Sequence, residues 1–70
     1  MSSAPERLRL LREQRNMSLV SLAAALGFKD HQTLSAIELG ERRLTADELV
    51  AAARHFDVRL DYFTDPFELA

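Results

Sequence analysis

The 70-residue chain has no cysteine, only two glycines and two prolines, and no apolar run near the ~20 residues that span a bilayer. Without cysteine there is no disulfide framework, no thiolate metal site and no cysteine nucleophile. So little glycine and proline argues against both disorder and a β-rich fold. The opening Met1-Ser2-Ser3-Ala4-Pro5-Glu6 lacks the basic stretch and following apolar stretch of a secretory signal. A bacterial-type cytoplasmic setting is therefore expected, with no membrane partner. The two histidines, His31 and His55, lie far apart without carboxylates at ligand spacing, so no metal site is expected. His55 and Asp57 could be joined with a serine on paper, but catalytic sets are recognised by geometry, and nothing in the sequence positions these. A chain this short buries only about 60% of its unfolded surface, which disfavours a deep active-site cleft. No enzyme activity and no cofactor are expected.

What is present is an ordinary globular composition, 47% hydrophobic and 29% charged, with a net charge of −2. An acidic balance argues at first against a nucleic-acid partner. Its distribution says more. Through Leu44 seven basic residues (Arg7, Arg9, Arg12, Arg15, Lys29, Arg42, Arg43) face five acidic ones, a balance of +2. After Leu44 the balance is −4. A positive front and a negative back suit a domain that meets phosphate with one side only. Two unrelated solvated faces would look the same on this feature alone.

The apolar spacing is helical throughout, and no strand-like alternation or internal repeat occurs. A first helix is expected from a Ser3 cap, with Pro5 in its opening turn and Leu8 and Leu11 inward, running out near Asn16. Ser18 caps a second, whose stripe is Leu19, Leu22, Ala23 and Leu26 and whose stop is Gly27. A third begins around Asp30 or His31, buries Leu34 and Ile37, and ends at Gly40. Thr45-Ala46-Asp47-Glu48 is a capping box for a fourth, with the stripe Leu49, Ala52, Ala53 and Phe56. A short fifth spans Leu60 to Phe63, before Asp65-Pro66. The fold expected is an all-α, compact five-helix domain over residues 1–70. Its folded core is 4–64, and 65–70 form a tail or the start of a linker.

The stretch from Ser18 to Gly40 carries the functional signal. Ala23 is small where two helices cross closely, Gly27 stands at the turn, and Leu22, Leu26 and Phe28 supply the buried contacts that fix the angle. Two helices joined by a short glycine-containing turn define a helix-turn-helix. The sequence resembles the phage Cro/repressor-type family of such domains, also called the xenobiotic-response-element type. The resemblance rests on Arg7-Leu8-Arg9-Leu10-Leu11-Arg12, Met17-Ser18 and Leu22 to Gly27. It continues through Thr33 to Arg43 and Leu49 to Ala53. Phe28 to Glu38 and Tyr62 to Phe67 look most like the N-terminal domain of regulators fused to a repressor-cleaving zinc metallopeptidase, whose H-E-x-x-H is absent here.

The resemblance implies a lambda-repressor-like, sequence-specific binder of double-stranded DNA, a transcriptional regulator of repressor type acting as a homodimer. It places His31, Gln32, Ser35 and Ala36 at base edges in the major groove, with Gln32 suited to adenine. It places Lys29, Arg42 and Arg43 on phosphates. Arg12 and Glu38 match a structural pair that ties the first helix to the third. Leu19 stands where the family commonly has a phosphate-bonding glutamine, and the segment from Gly27 to Thr33 is one residue longer than the common pattern. Phe63 is expected in the core, whereas Tyr62, Phe67 and Leu69 are expected at an interface, either a dimer contact or the surface against a missing C-terminal domain. Arg9 and Arg15 read as a solvated face. The rival reading is a protein-interaction module, either an antitoxin or the recruiting domain of a metallopeptidase-linked regulator.

Overall fold

The computed structural model describes residues 4–64, and among them every regular element is a helix. In chain order these are α1 (Ala4–Gln14), α2 (Leu19–Leu26), α3 (His31–Glu38), α4 (Ala46–Phe56) and α5 (Asp61–Thr64). The expected Ser3 cap and the tail with Phe67 and Leu69 lie outside the described residues. The fifth helix starts one residue later than expected, because Tyr62 N–H and Phe63 N–H turn back onto the Arg59 and Leu60 carbonyls.

The first four helices all end in the same way. A residue with positive φ stands just beyond each: Asn16 (55°), Gly27 (80°), Gly40 (79°) and Asp57 (55°). The following N–H then reaches back to a carbonyl one turn inside, in the pairs Met17–Arg12 (3.0 Å), Phe28–Ala23 (2.9 Å), Glu41–Ala36 (2.8 Å) and Val58–Ala53 (3.0 Å). This is the Schellman motif, which satisfies carbonyls that a helix end would leave unpaired. Three of the four reaching residues, Met17, Phe28 and Val58, also pack against the core, so each reversal is fixed by an apolar contact as well. Glycine suits the left-handed conformation, and asparagine and aspartate tolerate it.

The starts are equally local in origin. Ser18, Asp30 and Thr45 sit in extended conformation, and each side chain accepts from the N–H three residues on. At Thr45 the capping box is complete, since the Glu48 carboxylate accepts Thr45 N–H in return at 2.9 Å. With ends set this way, the apolar stripes converge. Leu8 and Leu11 of α1, Leu22 and Ala23 of α2, Leu34 and Ile37 of α3, Ala52, Ala53 and Phe56 of α4, and Phe63 of α5 form one buried cluster. Helix α2 packs on α3 and α4, and α1 packs on α3 and α5. No described helix is long and apolar enough to cross a membrane.

Candidate nucleic-acid interface

Helices α2 and α3 form the two-helix unit read from the sequence. Ala23 is buried at their crossing, where a larger side chain would force them apart. Gly27 serves the turn through its backbone conformation. A Cβ built there would meet nothing within 4 Å, so glycine is needed for its φ of 80° alone. Leu19, at the position of the family's phosphate-bonding glutamine, packs instead against the core.

Helix α3 begins at His31 because Asp30 caps it. Asp30 Oδ1 accepts both Thr33 N–H (2.9 Å) and the Thr33 hydroxyl (2.9 Å). These bonds, the backbone one foremost, hold the Asp30 carboxyl below the usual carboxylate range. The extra residue between Gly27 and Thr33 is thus absorbed in the turn. On the first turn of α3, His31 and Gln32 are exposed, with Lys29 exposed just before them. Ser35 and Ala36, one turn further, are only partly exposed. Beyond Gly40 the chain folds back over α3, Glu41 N–H and Arg42 N–H both donating to the Ala36 carbonyl (2.8 and 3.2 Å). The exposed Arg43 is thereby held close to the middle of α3.

Arg42 is engaged elsewhere. Its guanidinium makes two hydrogen bonds to the Glu48 carboxylate, at 3.0 and 2.9 Å, and lies 5.9 Å from the centre of the Phe28 ring. Glu48 is therefore shared between Arg42 and the Thr45 cap. The pairing with Arg42 first, and the Thr45 bonds after it, hold Glu48 below its ordinary value against the opposing effect of burial. The assembly ties the helix-turn-helix turn, through Phe28 and Arg42, to the start of α4.

Helix α1 orients the unit from behind. Arg12 donates Nε and Nη2 to Glu38 at 2.8 and 3.0 Å and Nη1 to the Met17 carbonyl at 2.9 Å. One side chain thus joins α1, the end of α3 and the approach to α2. The Glu38 pairing raises the Arg12 pKa above its ordinary value.

Two arginines have roles that sequence reading missed. Arg15, expected as part of a solvated face, donates to the Phe56 carbonyl at 3.2 Å and lies 5.5 Å from the centre of its ring, closing the end of α4. Arg7 is buried to 1% exposure, with Nη1 donating to the Tyr62 carbonyl of α5 and the guanidinium beside the Tyr62 ring. The signal was their spacing, since each stands four residues from the buried Leu11; Arg7 is buried there, while Arg15, just past the end of α1, stays exposed and reaches back to Phe56. Tyr62, expected at an interface, instead packs against the core, edge-to-face on Phe63 at 5.4 Å, because its backbone carbonyl and ring meet Arg7.

The fold has solved counterparts. The solution structure of the DNA-binding domain of the P22 c2 repressor (1–76) superposes with a TM-score of 0.83 at 20% identity, over 93% of this chain and 84% of that one. The crystal structure of the P22 c2 repressor in complex with synthetic operator 9T gives 0.79 at 21% identity, over 90% and 94%. No curated protein matches the chain. The helix-turn-helix family model matches residues 8–63, most of the chain. By its sequence and by the arrangement of α2 and α3, the chain belongs to the Cro/C1-type helix-turn-helix family.

Proposed function

We propose that the domain is the DNA-binding part of a transcriptional regulator, a repressor that reads duplex DNA with α3. The observation that carries this is the exposed first turn of α3, held out by the Asp30 cap and the Gly27 turn. The same fold is seen in a repressor crystallised with its operator. His31 and Gln32 meet base edges, with Gln32 pairing to adenine N6 and N7. Ser35 and Ala36, further along and partly exposed, complete the contact. Lys29 and Arg43 meet phosphates on either side, while Arg42 serves chiefly to hold the turn against α4. Half-sites of a palindromic site lie one helical turn, about 34 Å, apart. Two copies related by a two-fold axis would each present α3 to one of them.

A titration of binding over salt concentration tests this reading. Four phosphates, two per copy through Lys29 and Arg43, give a log–log slope near −3.6. A flat response would defeat it and favour a protein-interaction module. The specific support for that second reading is the exposure of two large apolar side chains, Val20 (60%) and Leu39 (68%). Large exposed apolar surface marks contact sites.

A further inference from the structure

We infer that Asp30 is a base-reading residue whose free carboxylate oxygen selects cytosine in the major groove, next to the base read by Gln32. The inference rests on the DNA-binding reading above and deepens it.

The two oxygens of Asp30 are used unequally. Oδ1 takes both Thr33 bonds, while Oδ2 accepts no hydrogen bond from any described residue. A cap that engages only one oxygen restrains the carboxylate and leaves the second oxygen able to accept a further hydrogen bond. Asp30 is partly exposed and lies between Lys29 and His31, both exposed at the leading end of α3. The side chain is thus preorganised, and little rotamer freedom remains to be lost on contact.

A carboxylate only accepts hydrogen bonds, and this decides which base it suits. In the major groove guanine presents two acceptors and thymine one, so both repel it. Adenine offers its N6 amino group but sets the N7 acceptor beside it. Cytosine offers the N4 amino group with no acceptor of its own on that edge. The residues from Asp30 to Ala36 include no arginine or lysine, so this turn lacks the commonest means of reading guanine. A carboxylate there can read the same G·C pair from its cytosine side. Its charge also disfavours wrong partners, because specificity arises from repulsion as much as from attraction.

The test is selection from a random duplex library with the full chain, comparing the wild type with Asp30→Asn and Asp30→Ser. Both replacements are good N-caps, so α3 keeps its start, and a thermal melt of each confirms it. The wild type is expected to enrich cytosine at one position per half-site by about fivefold or more. Asp30→Asn should lose that preference and move toward adenine, which a carboxamide can pair bidentately, while the adjacent preference set by Gln32 stays. Asp30→Ser should tolerate several bases there. If Asn lowers the melting temperature, the Ser variant carries the comparison. Retention of the same cytosine by both variants overturns the assignment of Asp30 and leaves the DNA-binding reading intact. Failure of the wild type to enrich any sequence overturns both.

Discussion

Arg7 and Arg12 lie on the same helix, both withdrawn from solvent, yet replacing each by methionine should have opposite consequences. Arg12 is a satisfied ion. Its side chain is 14% exposed, that of Glu38 6%, and both carboxylate oxygens are bonded at 2.8–3.0 Å. Removing the guanidinium strands the Glu38 charge and the Met17 carbonyl, and breaking such a buried pair costs about 3–5 kcal/mol. At roughly 4–8 °C per kcal/mol for a domain of this size, Arg12→Met should lower the melting temperature by at least ~12 °C. Arg7 is a poorly satisfied one. Nη1 donates to Tyr62, but Nε and Nη2 are buried without a hydrogen-bond partner among the described residues. Its removal forfeits one charge-assisted bond, worth about 1.5–3 kcal/mol, and relieves two buried unmatched donors at about 1–3 kcal/mol each. Methionine keeps an unbranched apolar stem in the same space. Arg7→Met should therefore be neutral or stabilising, with a melting temperature equal to or above the wild type. Circular dichroism melts and urea titrations of the two variants measure this directly. A loss at Arg7→Met as large as that at Arg12→Met would refute the reasoning, since it would mean the buried guanidinium is fully solvated or paired.

Gln32→Ala should weaken binding at the cognate site by about 1–3 kcal/mol and relax preference at one base pair, whereas Arg43→Ala should weaken all duplexes alike; competition assays with single-base operator variants separate the two. Gly27→Ala should destabilise by about 1–2 kcal/mol through its φ alone, and Gly27→Asn by less, because asparagine already holds φ 55° at Asn16 and no neighbour crowds the added Cβ. Glu48 and Asp30 are held below their ordinary values of 4.5 and 3.8, so the stability they contribute is present above those values and is lost as pH falls through the still lower folded ones. Melting temperature should stay level down to about pH 5 and drop below about pH 4, and Glu48→Gln should flatten that drop. Glu48→Gln also frees Arg42, so the salt slope should steepen from near −3.6 toward about −5.4 as two further cations in a dimer reach phosphate.

Helix starts and stops were legible because they are written in single residues. Ser18, Asp30 and Thr45 are capping types, and Gly27 and Gly40 are the residues least penalised at positive φ. The same logic at Asn16 and Asp57 was weaker in the sequence, since those residues adopt the left-handed conformation only where a following apolar side chain, Met17 or Val58, anchors the reversal. The arginines were the hardest to place. A long cationic side chain can reach a distant carbonyl, and although Arg7 and Arg15 stand four residues from Leu11, that spacing does not say which carbonyl each will meet. The pairing of Arg42 was hidden for the same reason. Its nearness to Arg43 suggested phosphate, and only the fold brings Glu48 and Phe28 within reach.

That use of arginine changes what the charge asymmetry means. Of the seven basic residues before Leu44, Arg7, Arg12 and Arg15 fasten α1 to α5, α3 and α4, and Arg42 is paired to Glu48. Arg9, Arg15, Lys29 and Arg43 are exposed, and of these Arg15 is tied to the Phe56 carbonyl. The positive front is therefore not a broad basic surface but two cations, Lys29 and Arg43, on segments flanking α3, on a chain whose net charge is −2. Phosphate neutralisation supplies essentially all non-specific binding to duplex DNA. On the proposed reading, a domain with so few free cations holds non-specific DNA weakly, and its acidic second half weakens that hold further. Discrimination is a ratio of specific to non-specific affinity, so a small denominator raises it without any added contact. The burden of recognition then falls on the base-edge contacts of one exposed helical turn. That explains why its geometry is fixed three times over: by the Asp30 cap in front, the Gly27 turn beside it, and the Arg12–Glu38 pair behind.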